Sequence, residues 1–170
     1  FSYPNLYTQF VNETPNGGTI VEVGSWKGKS TAYLGVEIIN SGKDIRVYAV
    51  DTWLGSPNED VHQNDPAVKQ GQLYDLFVDN MAPINKRKQV VMWLRADSVE
   101  ASKDFGNGSI DCVFIDASHD YDNVKKDITA YLPKVKSGGI LAGHDWSWHG
   151  VRKAVQELLP NAVPTNEDCW

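Results

Sequence analysis

Short apolar runs alternate with longer amphipathic segments along most of the chain. The apolar runs predict strands at residues 19–23, 45–50, 89–94, 110–115 and 139–143. The segments between them predict helices at 28–40, 97–103, 122–135 and 150–159, and a further helix within 3–13. Strands that alternate with helices form parallel sheets in which each crossover contains a helix. The pattern therefore predicts an α/β fold with a doubly wound, mostly parallel sheet and helices on both of its faces.

The segment 55–83 breaks this alternation. Its first half is polar and rich in turn-forming residues, whereas its second half has apolar residues at helical spacing. A long loop inside a compact domain is commonly a lid or a binding loop. We expect one domain over residues 1–170, with 55–83 as a substrate loop or lid inserted within it.

Composition and charge narrow the class of partner. With 170 residues, 41% of them hydrophobic, the chain is long enough for one sizeable core. Its 16 basic and 22 acidic residues give a net charge of -6, and this acidic balance does not indicate binding to nucleic acid or to an anionic membrane. No apolar stretch approaches the roughly 20 residues that cross a bilayer. A small-molecule partner is expected, and a homo-oligomer is left open.

The two cysteines, Cys112 and Cys169, have neither a disulfide framework nor metal-site spacing. This usage is typical of a reducing compartment, so we expect the cytoplasm.

Three acidic residues each stand where an apolar run ends: Glu22, Asp51 and Asp116. In an open parallel sheet, ligands bind beyond the carboxyl ends of the strands. Carboxylates there can meet ribose hydroxyls, an amino group or a metal. The three positions therefore indicate a nucleoside cofactor site.

The turn that follows Glu22 reads Gly-Ser-Trp-Lys-Gly-Lys-Ser from Gly24 to Ser30. A phosphate loop needs four residues between its glycines, whereas Gly24 and Gly28 have three between them. The middle glycine of a dinucleotide fingerprint is also missing. The remaining pattern suits S-adenosylmethionine, whose ammonium meets oxygens and whose carboxylate meets amides at a helix N-terminus. An ordinary strand-to-helix turn is the alternative.

Two further positions fit the adenosine part of such a cofactor. Asp51, at the end of the second strand, can accept both ribose hydroxyls. Asp97 and Ser98, after the third strand, can hydrogen-bond adenine. Alternatively, Asp51 and Asp97 only cap a local turn or helix.

Four motifs together resemble the class I S-adenosylmethionine-dependent methyltransferases. They are Val-Glu-Val-Gly-Ser-Trp-Lys-Gly-Lys-Ser-Thr at 21–31, Val-Asp-Thr-Trp-Leu-Gly at 50–55, Phe-Ile-Asp-Ala-Ser-His-Asp-Tyr at 114–121, and Leu-Pro-Lys-Val-Lys-Ser-Gly-Gly-Ile-Leu-Ala-Gly-His-Asp-Trp at 132–146. Within that superfamily the chain is most similar to the small bacterial and phage branch related to macrocin and rhamnosyl O-methyltransferases. The resemblance spans about 19–155.

The resemblance implies a Rossmann-like, seven-stranded sheet. The tail after Pro160 is short for two further strands, so either residues 162–163 and 168–170 form an abbreviated C-terminal edge or the chain is clipped there. The resemblance also implies a set of cofactor-binding residues: Glu22, Gly24, Ser25, Trp26, Gly28, Ser30, Asp51, Thr52, Trp53, Asp97, Ser98 and Asp116. Trp53 is expected over the adenine or at the substrate mouth.

Asp116, His144 and Asp145 fall at the ends of two adjacent predicted strands. In metal-assisted relatives, including catechol O-methyltransferase, the matching positions hold a divalent ion through oxygen ligands. His144 departs from that pattern. Either it binds the ion and favours manganese, iron or zinc, or it points elsewhere and waters complete a magnesium shell. We expect magnesium or manganese ahead of iron or zinc.

His119 stands three residues after Asp116, the offset at which the catechol enzyme carries its catalytic lysine. A neutral imidazole can take a proton from a hydroxyl that a metal has acidified. Asp116 and His119 are therefore the expected catalytic residues of an O-methyltransferase acting on a sugar-like or phenolic hydroxyl.

Other interpretations use the same residues. The histidines and aspartates can cap helices or bond loop amides. A phosphate-loop-like nucleotide enzyme and a non-catalytic cofactor-binding fold are two further candidates. His119, His144 and Asp116 can also form the two-histidine, one-carboxylate face of a non-haem iron oxygenase.

Overall fold

Five parallel strands form the sheet in the computed structural model, which describes residues 2–57 and 59–170. They are β1 (Thr19–Val23), β2 (Arg46–Asp51), β3 (Val91–Arg95), β4 (Ile110–Ile115) and β5 (Val135–Gly143). Their spatial order is β3-β2-β1-β4-β5, and every neighbouring pair is parallel. The chain builds outward from β1 in one direction and then crosses to β4. The junction of β1 and β4 is therefore the topological switch point, where such sheets bind ligands.

The helices lie on both faces of this sheet, which confirms the predicted fold class. They are α1 (Pro4–Glu13), α2 (Lys29–Ser41), α3 (Asp60–Gln63), α4 (Pro66–Lys69), α5 (Leu73–Arg87), α6 (Ser98–Ala101), α7 (Tyr121–Tyr131) and α8 (His149–Leu158). Apolar residues of α1, α2 and α5 pack in one core cluster, and those of α6, α7 and α8 pack in the other.

Strand β4 shows why the central strands are continuous apolar runs. Cys112 and Phe114 pack in the cluster with α1, α2 and α5, whereas Val113 and Ile115 pack in the cluster with α6, α7 and α8. Successive side chains of a strand point to opposite faces. A strand covered on both sides is therefore mostly apolar, and the one charged residue of β4, Asp111, pairs with Lys136.

The largest boundary difference lies between α7 and β5. The predicted helix 122–135 ends at Tyr131, and a 3-10 turn over Leu132–Lys134 leads directly into β5. The predicted strand 139–143 begins four residues earlier, at Val135, and contains an irregularity in its pairing with β4. Gly138, at a φ of 78°, supplies the left-handed backbone inside the strand. Gly138 and Gly139 therefore both lie inside β5.

Beyond α8, the last residue closes the sheet edge. The backbone N–H groups of Trp170 and Gly143 each donate to the other residue's carbonyl, at 2.9 and 3.1 Å. The N–H of Trp146 also donates to the carbonyl of Asp168 at 3.0 Å, so residues 168–170 lie beside the end of β5 and the residues that follow it. Within the described ranges, no helix combines the length and the apolar character that a membrane span requires.

Candidate cofactor and cation site

A cleft of about 670 Å³ opens at the carboxyl ends of β1, β2 and β4. It lies at the switch point of the sheet, where the strand order predicts a ligand. The structure brings eight of the predicted site residues to its wall: Gly24, Trp26, Asp51, Thr52, Asp97, Ser98, Asp116 and His119.

Gly24 allows the turn after β1 to lie against the end of β4. Its φ is 89°, and a Cβ at this position would come within 2.0 Å of the carbonyl oxygen of Asp116. Any side chain would therefore push the two backbones apart. The turn is also fixed to β2, because the Gly24 N–H donates to the carbonyl of Val50 at 2.8 Å.

The carboxylate of Asp51 organises the same turn. Its Oδ2 accepts the N–H groups of Ser25 and Trp26 at 2.9 and 2.8 Å, and its Oδ1 accepts the N–H of Trp53 at 2.7 Å. Three hydrogen bonds to a charged acceptor hold the backbone in one arrangement. Asp51 therefore shapes the wall of the cleft and lines it as well.

Glu22 lies beneath the cleft instead of in its wall, which differs from the prediction. It is fully buried, and it accepts the hydroxyls of Tyr7 at 2.6 Å, Ser25 at 2.9 Å and Thr31. Burial raises the pKa of Glu22, and these hydroxyls oppose the rise. The strand period explains its place, because Glu22 shares a face with Ile20 under α1 and α2. Its carboxylate accepts the hydroxyl of Ser25, which belongs to the turn that follows β1.

Four other predicted cofactor residues lie behind the wall. Ser25 and Ser30 are buried, and a Cβ on Gly28 would lie 2.7 Å from Met81 Cε. Trp53 is 3% exposed, and its Nε1 donates to the carbonyl of Trp26 at 2.8 Å. Its ring packs in the core and does not line the cleft, so a contact of Trp53 with adenine or with the substrate mouth stays a prediction.

Asp97 and Ser98 lie at the far end of the cleft, at the start of α6. Asp97 caps this helix by accepting the N–H groups of Val99 and Glu100. The Ser98 hydroxyl donates to Asp127, a buried cleft residue of α7 that sequence reasoning missed. Burial raises the pKa of Asp127 to about 6. The sequence signal that could have identified Asp127 is a carboxylate at helical spacing from the apolar residues Val124, Ile128 and Tyr131.

Asp116, His144 and Asp145 converge, as their positions at two strand ends predict. Each offers a donor atom, and the three atoms lie within 4.8 Å of one another. His144 Nδ1 is 3.1 Å from Asp145 Oδ1 and 3.7 Å from Asp116 Oδ1. Two carboxylates and an imidazole form a donor set that fits a divalent cation.

The charges in this group are strongly interdependent. Burial raises the pKa of Asp116 to about 6, although a hydrogen bond from Tyr3 opposes the rise. Burial also acts to raise the pKa of Asp145, but hydrogen bonds from His119 and His144 hold it well below the usual range. For His144, burial favours the neutral ring, yet Asp145 and Asp116 raise its pKa overall.

His119 lies between two carboxylates. Its Nε2 is 2.8 Å from Asp145 Oδ2, and its Nδ1 is 2.8 Å from Glu59 Oε1. The hydrogen bond with Asp145 is the main cause of its raised pKa. Trp148 stacks on the ring with a centroid distance of 4.6 Å. Asp145 and the indole of Trp148 therefore hold the ring, whereas Nδ1, although close to Glu59, has no hydrogen-bond partner among the described residues.

A family model described as a methyltransferase domain matches residues 21–146. The chain belongs to this methyltransferase family. The match confirms the resemblance to class I S-adenosylmethionine-dependent methyltransferases and the prediction of a methyltransferase enzyme. It also decides against a phosphate-loop enzyme and an iron oxygenase. No curated protein matches the methyltransferase in sequence.

Solved structures share its fold. The O-methyltransferase NovP is 19% identical with a TM-score of 0.71, covering 99% of this chain and 77% of NovP. CalS11, a calicheamicin methyltransferase, is 17% identical with a TM-score of 0.63, covering 92% and 68%. SMU.1697c from Streptococcus mutans, solved in complex with SAH, is 11% identical with a TM-score of 0.65, covering 96% and 83%.

The first half of the 55–83 segment adds five residues to the wall of the methyltransferase cleft, and Glu59 and His62 are the titratable ones among them. Glu59 contacts His119, and its Oε2 lies 3.3 Å from His62 Nδ1. His62 in turn stacks on Trp26 at a centroid distance of 4.1 Å. Sequence reasoning assigned this segment to the substrate but selected neither residue, because polar side chains in a turn-rich loop have no periodicity.

Proposed function

We propose that the protein is an O-methyltransferase that acts on a hydroxyl of a sugar-like or phenolic small molecule. The observation that carries the proposal is the arrangement of His119 and Asp116, which line the cleft, beside His144 and Asp145, which contact them from behind its wall. NovP is an O-methyltransferase, and CalS11 is a TDP-rhamnose 3′-O-methyltransferase, which supports a hydroxyl as the acceptor.

S-adenosylmethionine, when bound, supplies a methyl group on a sulfonium. In the proposed arrangement, the turn at Gly24 lies at its methionine end and Asp51 with Thr52 at its ribose. Asp97 and Ser98 lie at its adenine. Glu22 acts from beneath, by fixing Ser25.

A divalent cation, magnesium or manganese, would be held by Asp116, His144 and Asp145. Its charge would lower the pKa of a hydroxyl at the same place. The donor set of two carboxylate oxygens and one imidazole nitrogen supports this part of the proposal.

His119 is the proposed base. The acceptor hydroxyl gives its proton to the imidazole while its oxygen forms a bond to the methyl carbon and the carbon–sulfur bond breaks. A base needs a ring nitrogen that faces the acceptor, whereas both nitrogens of His119 face carboxylates. Turnover therefore requires Glu59 or Asp145 to move from the ring.

The charge of the cleft supports a small acceptor in place of nucleic acid. Among the described residues that line it, seven are carboxylates and Lys126 alone is a lysine or arginine. A polyanionic backbone would be repelled there. We also propose the cytoplasm as the location, because Cys112 and Cys169 are both free thiols.

Thermal unfolding with S-adenosylhomocysteine tests the proposal. At a ligand concentration of 100 times Kd, we expect stabilisation by about 2.7 kcal/mol, because the ligand binds only the folded protein. ATP with magnesium serves as the control and should give no shift. Transfer of methyl from the labelled cofactor to a library of sugars and phenols then tests the acceptor. Stabilisation by ATP alone, or transfer only to amines, would refute the proposal.

A further inference from the structure

Two residues at the start of the chain lie against the proposed cation ligands. The Tyr3 hydroxyl donates to Asp116 Oδ2 at 2.6 Å, and Ser2 Oγ is 2.9 Å from His144 Nε2. The ring of Tyr3 also contacts the ring of His144, at a centroid distance of 4.8 Å. Sequence reasoning selected neither Ser2 nor Tyr3.

Tyr3 and Ser2 contact Asp116 Oδ2 and His144 Nε2, which are not the atoms through which Asp116 and His144 face each other. Asp116 Oδ1 and His144 Nδ1, which they leave free, face each other at 3.7 Å. Asp145 Oδ1 completes the group at 3.1 Å from the same nitrogen. Adjacent donors of an octahedral cation with bonds of about 2.1 Å are about 3 Å apart, and the separations of 3.1 and 3.7 Å from His144 Nδ1 to the two carboxylate oxygens are near that spacing.

We propose that Tyr3 and Ser2 are positioning residues of a divalent-cation site, in which they leave Asp116 Oδ1 and His144 Nδ1 as the donor atoms. The inference rests on the cation of the proposed function. An imidazole that ligates through Nδ1 carries its proton on Nε2, and Ser2 Oγ is placed to accept it. Such outer hydrogen bonds fix the tautomer and the orientation of a ligand.

Tyr3 is rigid enough for this role. It is 2% exposed, and its ring packs on Tyr7 and Phe114 at centroid distances of 5.1 and 4.5 Å. The position of its hydroxyl is therefore set by the core. If Asp116 turned its Oδ2 inward, it would lose the hydrogen bond from the Tyr3 hydroxyl.

The Tyr3 hydroxyl is not needed to dock α1. Tyr7, Phe10 and Val11 of this helix are buried in the core. Its N-terminal turn also donates backbone N–H groups to Glu167, at 3.1 Å each. Replacing Tyr3 by Phe keeps the ring in the core and removes the hydroxyl that donates to Asp116, so the variant should fold.

The test is calorimetric titration of Mn²⁺ into the wild type, Tyr3→Phe and Ser2→Ala. The control is Tyr33→Phe, which removes a hydroxyl that lies 3.1 Å from Thr8 Oγ1 on the same helix α1. We expect both test variants to weaken Mn²⁺ binding about 10-fold or more, the usual effect of losing an outer hydrogen bond. The control should stay within about two-fold of the wild type, and the affinity for S-adenosylhomocysteine should be unchanged in all variants.

Each other outcome has a distinct meaning. Equal Mn²⁺ affinity in the wild type and both test variants overturns the inference about Tyr3 and Ser2, but the proposed cation site itself still holds. Equal weakening in Tyr33→Phe overturns it too, because the effect then comes from the docking of α1. A wild type that binds no Mn²⁺ overturns both the inference and the proposed cation site. If that wild type still binds S-adenosylhomocysteine, the assignment as a methyltransferase is unaffected.

Discussion

Asp51 shows that a residue can serve a ligand and the backbone at once. The sequence places a carboxylate at the end of β2, and the expected partner is a ribose. In the structure its two oxygens accept three backbone N–H groups, those of Ser25, Trp26 and Trp53. The turn that forms the cleft wall therefore depends on the charge and the two acceptor atoms of this one side chain.

Asp51→Asn keeps the size of the side chain but removes its charge and one of its two acceptor atoms. An amide has one acceptor atom, so at least one of the three N–H groups loses its partner. We expect the Kd for S-adenosylhomocysteine to rise about 10-fold or more, equivalent to about 1.4 kcal/mol. Calorimetric titration measures this, with the exposed Asp44→Asn as the matched control. An unchanged Kd in Asp51→Asn would remove this carboxylate from the site.

Residue identity was easier to predict from the sequence than residue exposure. The strand-end acids and the glycine turn were recognisable because strand ends and glycines leave local signals. The burial of Glu22 depends on α1 lying over β1, a contact between distant parts of the fold. The burial of Trp53 depends likewise on α5, where Phe77 lies 4.6 Å from its ring. Such contacts have no local pattern.

At the scale of elements, the described part of the 55–83 segment divides between the cleft wall, reached by its first half, and the core, in which α5 packs. It contains α3, α4 and α5, and α5 continues through Pro83 to Arg87. The helical spacing in its second half predicted α5. The two short helices α3 and α4 were not predicted, because four residues are too few to show a period. Its contacts with His119, Trp26 and Lys27 hold it against the cleft.

Glu59→Gln should loosen this segment, because the amide keeps the shape but loses the charge that faces His119 and His62. We expect amide hydrogen exchange of residues 59–70 to become about five-fold faster, corresponding to about 1 kcal/mol for a partly exposed ion pair. Exchange of β1 should stay the same. Asp60→Asn, which changes the adjacent exposed carboxylate, is the control. Equal exchange in Glu59→Gln and the wild type would show that other contacts hold the segment.

For the whole molecule, the order of elements was predictable and the edges were not. Alternating strands and helices gave the parallel sheet, since buried parallel strands are apolar runs separated by amphipathic helices. The start of β5 was missed, because Gly138 and Gly139 resemble a helix end when only the sequence is read. The pairing of Trp170 with Gly143 joins residues far apart in the chain, and a single pair has no repeating pattern.

Asp127 should make the stability of the whole protein depend on pH. Its pKa is raised to about 6 by burial, against an ordinary value of 3.8. A raised folded-state pKa favours folding most below pH 3.8, and this contribution is lost as pH rises through about 6. Asp127→Asn retains an acceptor for Ser98 without the charge. We therefore expect its unfolding free energy to exceed that of the wild type by about 2 to 3 kcal/mol at pH 8.

Urea unfolding at pH 4 and pH 8 measures this difference. Near pH 4 the variant and the wild type should be close, because Asp127 is then largely protonated in the folded protein. Exposed Asp122→Asn on the same helix is the control and should not show the trend. A stability difference that is the same at both pH values would mean that the buried carboxyl does not titrate in this range.

The pair between Trp170 and Gly143 also bears on self-association. An open strand edge with unpaired N–H and carbonyl groups is a template on which a second chain can add a strand and start aggregation. At Gly143 both of these groups are already bonded to Trp170. The indole lies so close that a Cβ at Gly143 would come within 2.4 Å of it. The end of β5 beside His144 is therefore shielded from intermolecular strand addition.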